Sequence, residues 1–143
     1  MKEQTPVNLY IHSKIRNEGD TEIIEFRSSG SFYIKDSVPY LSYKEEQEYG
    51  TIQTIVKMKP GETLVFRSGA VSMKQRFIKD TETLTHYKTP LGTLQMTTYT
   101  SRMTQDIHPE SAEGKLEIEY ELHMGEGQSH LHSLLIDFKE ATS

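Results

Sequence analysis

The amino-acid sequence predicts an all-β fold, an antiparallel barrel of about ten strands, and three observations carry that prediction. Apolar residues recur at every second position through most of the chain, Gly and Pro punctuate it at short intervals, and no segment keeps helical spacing for three turns. The pattern is least ambiguous between Lys115 and Lys139. There Leu116, Ile118, Tyr120, Leu122 and Met124 share one face of a strand, and Glu117, Glu119, Glu121 and His123 share the other. With the second apolar run that follows, this segment reads as a β-hairpin. Two strands alone are marginal in water, so the rest of the chain must complete the apolar layer.

Taken in order, the first strand turns Val7, Leu9, Ile11, Ser13 and Ile15 to the core, and Glu18-Gly19-Asp20 reverses the chain. A second extended segment, residues 21–35, carries Ile24, Phe26, Phe32 and Ile34 in phase; its Ser28-Ser29-Gly30-Ser31 centre predicts a bend or bulge. Residues 38–45 form a third strand, with Pro39 near its start. Residues 51–59 form a fourth, with Ile52, Thr54, Val56 and Met58 on one face. Pro60-Gly61 then supplies a tight turn, Pro fixing φ and Gly allowing it to be positive. Residues 62–68 follow, Gly69 separates them from Val71, Met73, Gln75 and Phe77, and Asp80 marks the next reversal. Residues 81–88 lead into Thr89-Pro90-Leu91-Gly92, which suits a type I turn. The eighth strand runs from Thr93 to about Met103, with Leu94, Met96, Thr98 and Thr100 in phase. Residues 104–114 lose the alternation and predict the longest irregular connection, with a short turn of helix. Closing such a meander into a barrel removes exposed edges.

The length of 143 residues predicts a single domain over residues 1–143. The hydrophobic fraction of 34% is low, but its periodic placement separates the chain from disordered sequences. A net charge of -5 argues against general attraction to nucleic acid or an anionic membrane. The chain has no Cys, which excludes disulfides, a thiolate nucleophile and Cys-ligated zinc. Its first residues lack the apolar core of a secretory signal, and no apolar stretch approaches membrane-spanning length. The expectation is a cytoplasmic protein without a cofactor.

Through Tyr87-Lys88-Thr89-Pro90-Leu91-Gly92 and the final hairpin from Gly114 to Phe138, the chain resembles the YwiB-like family of small uncharacterised bacterial proteins over nearly its whole length. The resemblance implies a ten-stranded, antiparallel, calycin-like barrel, related in shape to lipocalins and fatty-acid-binding proteins. It implies no established activity, and barrels of this shape host unrelated functions.

Three readings of function follow. A small apolar or amphipathic ligand inside the barrel would meet inward polar groups from Ser13, Ser28, Thr54, Gln75, Thr98 and Thr100, with Tyr40, Tyr87 and Tyr120 as hydroxyl donors. The competing explanation is that these groups pair among themselves, with backbone or with buried water. A protein-interaction module using the outer face is the second reading, and an enzyme the third. No interior pair of carboxylates is evident, and neither a Gly-x-Ser-x-Gly elbow nor a nucleotide fingerprint is present.

His123, His130 and His132, with Glu121, are the candidate metal ligands, and the hairpin register decides their fate. A loop of residues 125–128 would pair Met124 with Ser129 and place all four on the outer face. A loop of residues 125–129 would pair Met124 with His130 and Leu116, Ile118 and Tyr120 with Phe138, Ile136 and Leu134, splitting the histidines. The second buries the more apolar set and is favoured. Lys57, Lys59, Arg67, Lys74, Arg76, Lys79 and Lys88, with Tyr43, Tyr49 and Tyr87 nearby, form a basic, aromatic cluster that could stack single-stranded nucleic acid. The acidic total favours solvated outer rows paired with Glu45, Glu46, Glu62 and Glu82.

Overall fold

The computed structural model describes residues 4–48, 50–125 and 127–141. It contains ten strands: β1 Thr5–Asn17, β2 Asp20–Lys35, β3 Val38–Gln47, β4 Gly50–Lys59, β5 Glu62–Gly69, β6 Ser72–Phe77, β7 Glu82–Thr89, β8 Gly92–His108, β9 Glu113–His123 and β10 Ser129–Glu140. Each strand pairs antiparallel with its neighbour in sequence, and β10 returns to β1, so the meander closes. Tight turns set the order. Asn17 faces Asp20 across Glu18-Gly19, and Lys35 faces Val38 across Asp36-Ser37. All four loop residues have positive φ, the backbone whose twist matches that of the flanking strands.

The turns at 17–20, 47–50, 69–72, 89–92 and 124–128 gather at one end, called the mouth here. The other end is plugged. Phe32, Leu41, Val56, Met58, Phe77, Leu116, Ile136 and Phe138 are all buried there, with Phe32 stacked on Phe138 at 5.2 Å between ring centroids. After an irregularity between Thr100 and Arg102, β8 continues across this end. Its Gln105 Nε2 donates to Thr63 Oγ1 at 2.9 Å and to the Lys59 carbonyl at 3.1 Å, tying β8 to the β4–β5 turn. Thr63 Oγ1 in turn donates to Met103 Sδ at 3.1 Å.

This irregularity corrects the expected end of the eighth strand. Ser101 is the extra residue, so the inward set changes from Met96, Thr98 and Thr100 to Met103, Gln105 and Ile107. A bulge shifts the alternation by one, and the strand beyond it reads as irregular although it runs to His108. The expected helical turn is the 3-10 segment Pro109–Ser111.

Three further expectations are corrected. Residues 28–31 stay in unbroken register with β1, and instead of bulging they mark where β2 parts from β3. The pairing with β3 ends at Gly30, where an added Cβ would overlap the Ser42 carbonyl oxygen. On β3 the inward residues are Leu41, Tyr43 and Glu45, so Tyr40 faces outward, stacked on Tyr33 at 5.1 Å. The final hairpin pairs His123 with Ser129, Tyr120 with His132, Ile118 with Leu134 and Leu116 with Ile136. That keeps the facing of the favoured register but moves it by two residues, because the loop closes earlier: Met124 N donates to the Gln128 carbonyl at 3.0 Å.

Replacing Gln105 by Ala removes the tie across the plugged end and leaves Thr63 and two carbonyls short of a donor. We expect a loss of about 1–3 kcal/mol, read by urea unfolding with an unchanged m-value.

Candidate functional site

Above the plug the character of the lumen changes. The strand register places Glu45, Arg67, Gln75, Thr85, Thr98, Tyr120 and His132 on inward faces, forming a polar belt around the middle of the barrel. Contacts across the belt agree with this placement. Arg67 Nη2 donates to Glu45 Oε1 at 3.0 Å, and Gln75 Nε2 donates to Thr98 Oγ1 at 2.9 Å. The Tyr120 ring stacks on His132 at 4.8 Å and meets Phe77 edge-on at 4.8 Å. The Arg67 cation acts on Tyr43 and on Tyr120, which belong to well-separated strands.

The electrostatics follow from burial. Desolvation raises the Tyr43 hydroxyl to about 12, against the lowering effect of Arg67, and raises Tyr120 as well, so both remain protonated donors at neutral pH. Desolvation, helped by His130, lowers His132 to about 4 and keeps its imidazole neutral. Among the described residues, several polar atoms of the lumen lack partners. Thr85 Oγ1, Thr100 Oγ1 and His132 Nε2 are buried without a hydrogen bond, and Thr54 Oγ1, beside Tyr43, falls short of full hydrogen-bond geometry.

Beside the belt stand apolar inward residues that are only partly buried: Ile15, paired with His132, Met73, paired with Arg67, and Phe26. Ile24 and Leu94 are 43% and 51% exposed at the rim, and Leu91 at its turn is 99% exposed. The grooves on the wall are separate features; the one lined by Asn8, Tyr10, Arg27 and Lys139 lies on the outer faces of β1, β2 and β10.

Most sequence-predicted ligand residues lie where the alternation puts them. Ser13, Ser28, Thr54, Gln75, Tyr87, Thr98, Thr100 and Tyr120 all occupy inward positions. The structure brings Gln75 to Thr98 directly, whereas Ser28 turns its hydroxyl to the Lys44 carbonyl where β2 and β3 separate. The histidines split, His130 and His132 inward and His123 outward beside Glu121 at 3.0 Å. Among the described residues no group of three potential ligands is placed to hold a metal ion.

Sequence reasoning missed the charged pair. Arg67 and Glu45 are paired as expected, but inside the lumen instead of in an outer row, because they share faces with Thr54 and Ile52. The signal was the parity of Thr63, Val65 and Arg67, obscured because Leu64 and Phe66 make β5 apolar on both faces. Arg76 with Glu62 at 2.6 Å does form an outer pair. Tyr49 lies outside the described residues.

These features define a class: a small single-lumen β-barrel, plugged at one end and lined with polar groups toward the other. The chain belongs to the family described as Domain of unknown function (DUF1934), which matches residues 9–136. It is 42% identical over 142 residues to the uncharacterized beta-barrel protein YwiB of Bacillus subtilis (strain 168), covering 99% of each chain. It is also similar to the crystal structure of ywiB protein from Bacillus subtilis, with a TM-score of 0.89 at 41% identity, covering 97% of this chain and 94% of that one.

The depressed pKa of His132 gives a pH signature. The unfolded chain takes up this proton near 6.5 and the folded chain near 4, so the stability linked to neutral His132 is complete above pH 6.5 and is lost as pH falls toward 4. Replacing His132 by Phe keeps a ring against Tyr120 and removes the titration. The stability difference between variant and parent should therefore shift in the variant's favour as pH falls from 6.5 to 4, read by urea unfolding; a pH-independent difference would contradict the assignment.

Proposed function

We propose that this barrel is a non-catalytic binding protein for a small amphipathic ligand held in the mouth half of its lumen, in the manner of calycin-like barrels. The observation that carries the reading is the polar belt set between a packed plug and an apolar rim. A closed barrel of about eight strands is just filled by its own side chains, and ten strands enclose more room. The plug takes up that room at one end with large side chains, while toward the mouth inward residues stay partly accessible. A long apolar chain running to the far end would have to displace Phe32, Phe77 and Phe138, so the ligand is compact. Catalysis has less support. Glu45 is engaged by Arg67 and Gln47, and His132 stacks on Tyr120 without an acid or base bonded to it among the described residues.

Native mass spectrometry of untagged protein, purified gently from a host close to its own, tests the reading. A reproducible excess mass that disappears on denaturation supports it, and a bare mass counts against it. Replacing Thr85 by Val removes a buried, unpartnered hydroxyl from the belt while keeping a β-branched side chain. Stability should hold or rise by up to about 1 kcal/mol, while retained ligand falls; unchanged retention would remove Thr85 from the site.

A second reading, as an interaction module, rests on the edge of β2. Residues 21–29 pair with β1 on one side and with no described strand on the other, and Ile23 among them is 57% exposed. Such an edge can accept an added strand. Protection of these amides from hydrogen exchange by a purified partner would support it.

A further inference from the structure

The direction of the backbone bonds along β2 follows from its two turns. Asn17 and Asp20, like Lys35 and Val38, flank two-residue turns and therefore exchange both backbone hydrogen bonds. Bonding then alternates, so the even-numbered residues of β2 bond to β1 and the odd-numbered ones point the other way. Ala141 N, which donates to the Pro6 carbonyl at 2.9 Å, agrees, because it leaves the odd-numbered residues of β1 for β2. On the mouth side of Gly30 the pairing with β3 has ended, and Thr21, Ile23, Glu25 and Arg27 direct their amides and carbonyls to no described strand. On β3 the same count turns Lys44 and Glu46 toward β2. The Lys44 carbonyl accepts from the Ser28 hydroxyl at 3.2 Å, a side chain standing where a strand bond would be. From there the two strands part and leave a notch with a free edge on β2.

A free backbone edge fits an extended segment, and the side chains beside it select the chemistry. An added strand carries alternate side chains on the two faces of the sheet. On the inner face it meets Ile24 and Phe26, whose ring lies 6.4 Å from that of Tyr43. On the outer face it meets Glu25 and Glu46. The lips of the notch, residues 18–27 and 44–48, are acidic. Glu18, Asp20, Glu22, Glu25, Glu46 and Glu48 belong to no salt bridge among the described residues, while Glu45 is held by Arg67. The lips carry two cations, Lys44 and Arg27, and Arg27 lies over the Tyr10 ring of β1 at 5.0 Å. Lys14 and Arg16 stand one strand further back, opposite Ile23 and Thr21.

Resting on the second reading above, the edge of β2, and independent of a lumen ligand, we infer that the notch takes an extended peptide segment of alternating basic and apolar residues. The segment adds to β2 as a strand, its apolar side chains against Ile24 and Phe26 and its cations beside Glu25 and Glu46.

Two synthetic peptides of equal length, one alternating lysine with valine and the other glutamate with valine, test this on the full-length protein by amide hydrogen exchange. The lysine peptide should slow exchange at Thr21, Ile23, Glu25 and Arg27 at least about tenfold and leave Glu22, Ile24 and Phe26, already bonded to β1, unchanged; the glutamate peptide should slow neither set. I23P removes an outward amide without touching the β1 ladder, so the fold should persist and the protection should vanish. E25K/E46K, at two outer positions, should transfer the preference to the glutamate peptide. Equal protection of the parent by both peptides would overturn the basic character and spare strand addition, and protection by neither would overturn both. Odd-numbered amides that become protected without peptide as protein concentration rises would make the occupant a second copy of the chain and overturn the inference.

Discussion

Closure of the meander by β1 and β10 is the constraint on which the rest of the structure depends. Val7 through Arg16 pair with Leu131 through Glu140, and β1 pairs with β2 over its other edge, so the first strand has no free side. Closure leaves residues 21–29 of β2 as the one stretch without a described strand on one side between β1 and β3, and it gives the sheet an interior whose width is set by strand number. Ten strands make that interior wide, and the inward side chains must then fill it, line it or do each in a different part. The chain does the last. Phenylalanine, leucine and methionine fill the end where β1 begins and β10 finishes, and β8 crosses beneath them by way of its bulge. Toward the opposite end the lumen is lined with hydroxyls, an amide, an imidazole and an ion pair.

Those polar groups come at a cost that the plug must offset. A buried hydroxyl without a partner is unfavourable by about 1–3 kcal/mol, and Thr85 and Thr100 each hold one. Arg67 and Glu45 give up much of their hydration, and attraction in a pair of this kind only partly compensates. Valine would fit the same strand positions as threonine and would avoid the penalty. A sequence that is locally consistent elsewhere, with alternation, turn residues and packing in agreement, departs from that consistency in one belt. Such departures concentrate where a protein meets a ligand.

The architecture was largely legible in the residues, because alternation and turn chemistry are local. Pro60-Gly61, Glu18-Gly19 and the inward rows of β1, β4 and β6 could be read directly. Errors arose where a local signal was symmetric or shifted. On β3, Tyr40 and Tyr43 are equally good strand residues, and only tertiary closure puts the second inside. Leu64 and Phe66 gave β5 two apolar faces, hiding the inward direction of Arg67. Ser101 moved the phase of β8, so its last residues looked irregular. In the final hairpin the facing of the histidines followed from parity, but the register depended on one turn hydrogen bond, from Met124 to Gln128, that has no compositional trace.

The candidate site divides along the same line. Its neutral members, Ser13, Thr54, Gln75, Thr98 and Tyr120, are visible as polar interruptions in apolar rows, since each sits two residues from an inward hydrophobe. Its charged members are not, because a charge on a strand is ordinarily a mark of the solvent face. Arg67 and Glu45 break that rule together, two strands apart, and each makes the other's inward direction tolerable. Neither residue alone would justify placing the other, so the pair emerges only when the sheet closes around it. Mutual neutralisation cancels the charge of the pair, while His132 beside it is neutral and both tyrosines are protonated. The barrel can therefore fold around an inward guanidinium without carrying a net charge on the pair, because the partner that neutralises Arg67 is supplied by a strand two places away in the same closed sheet.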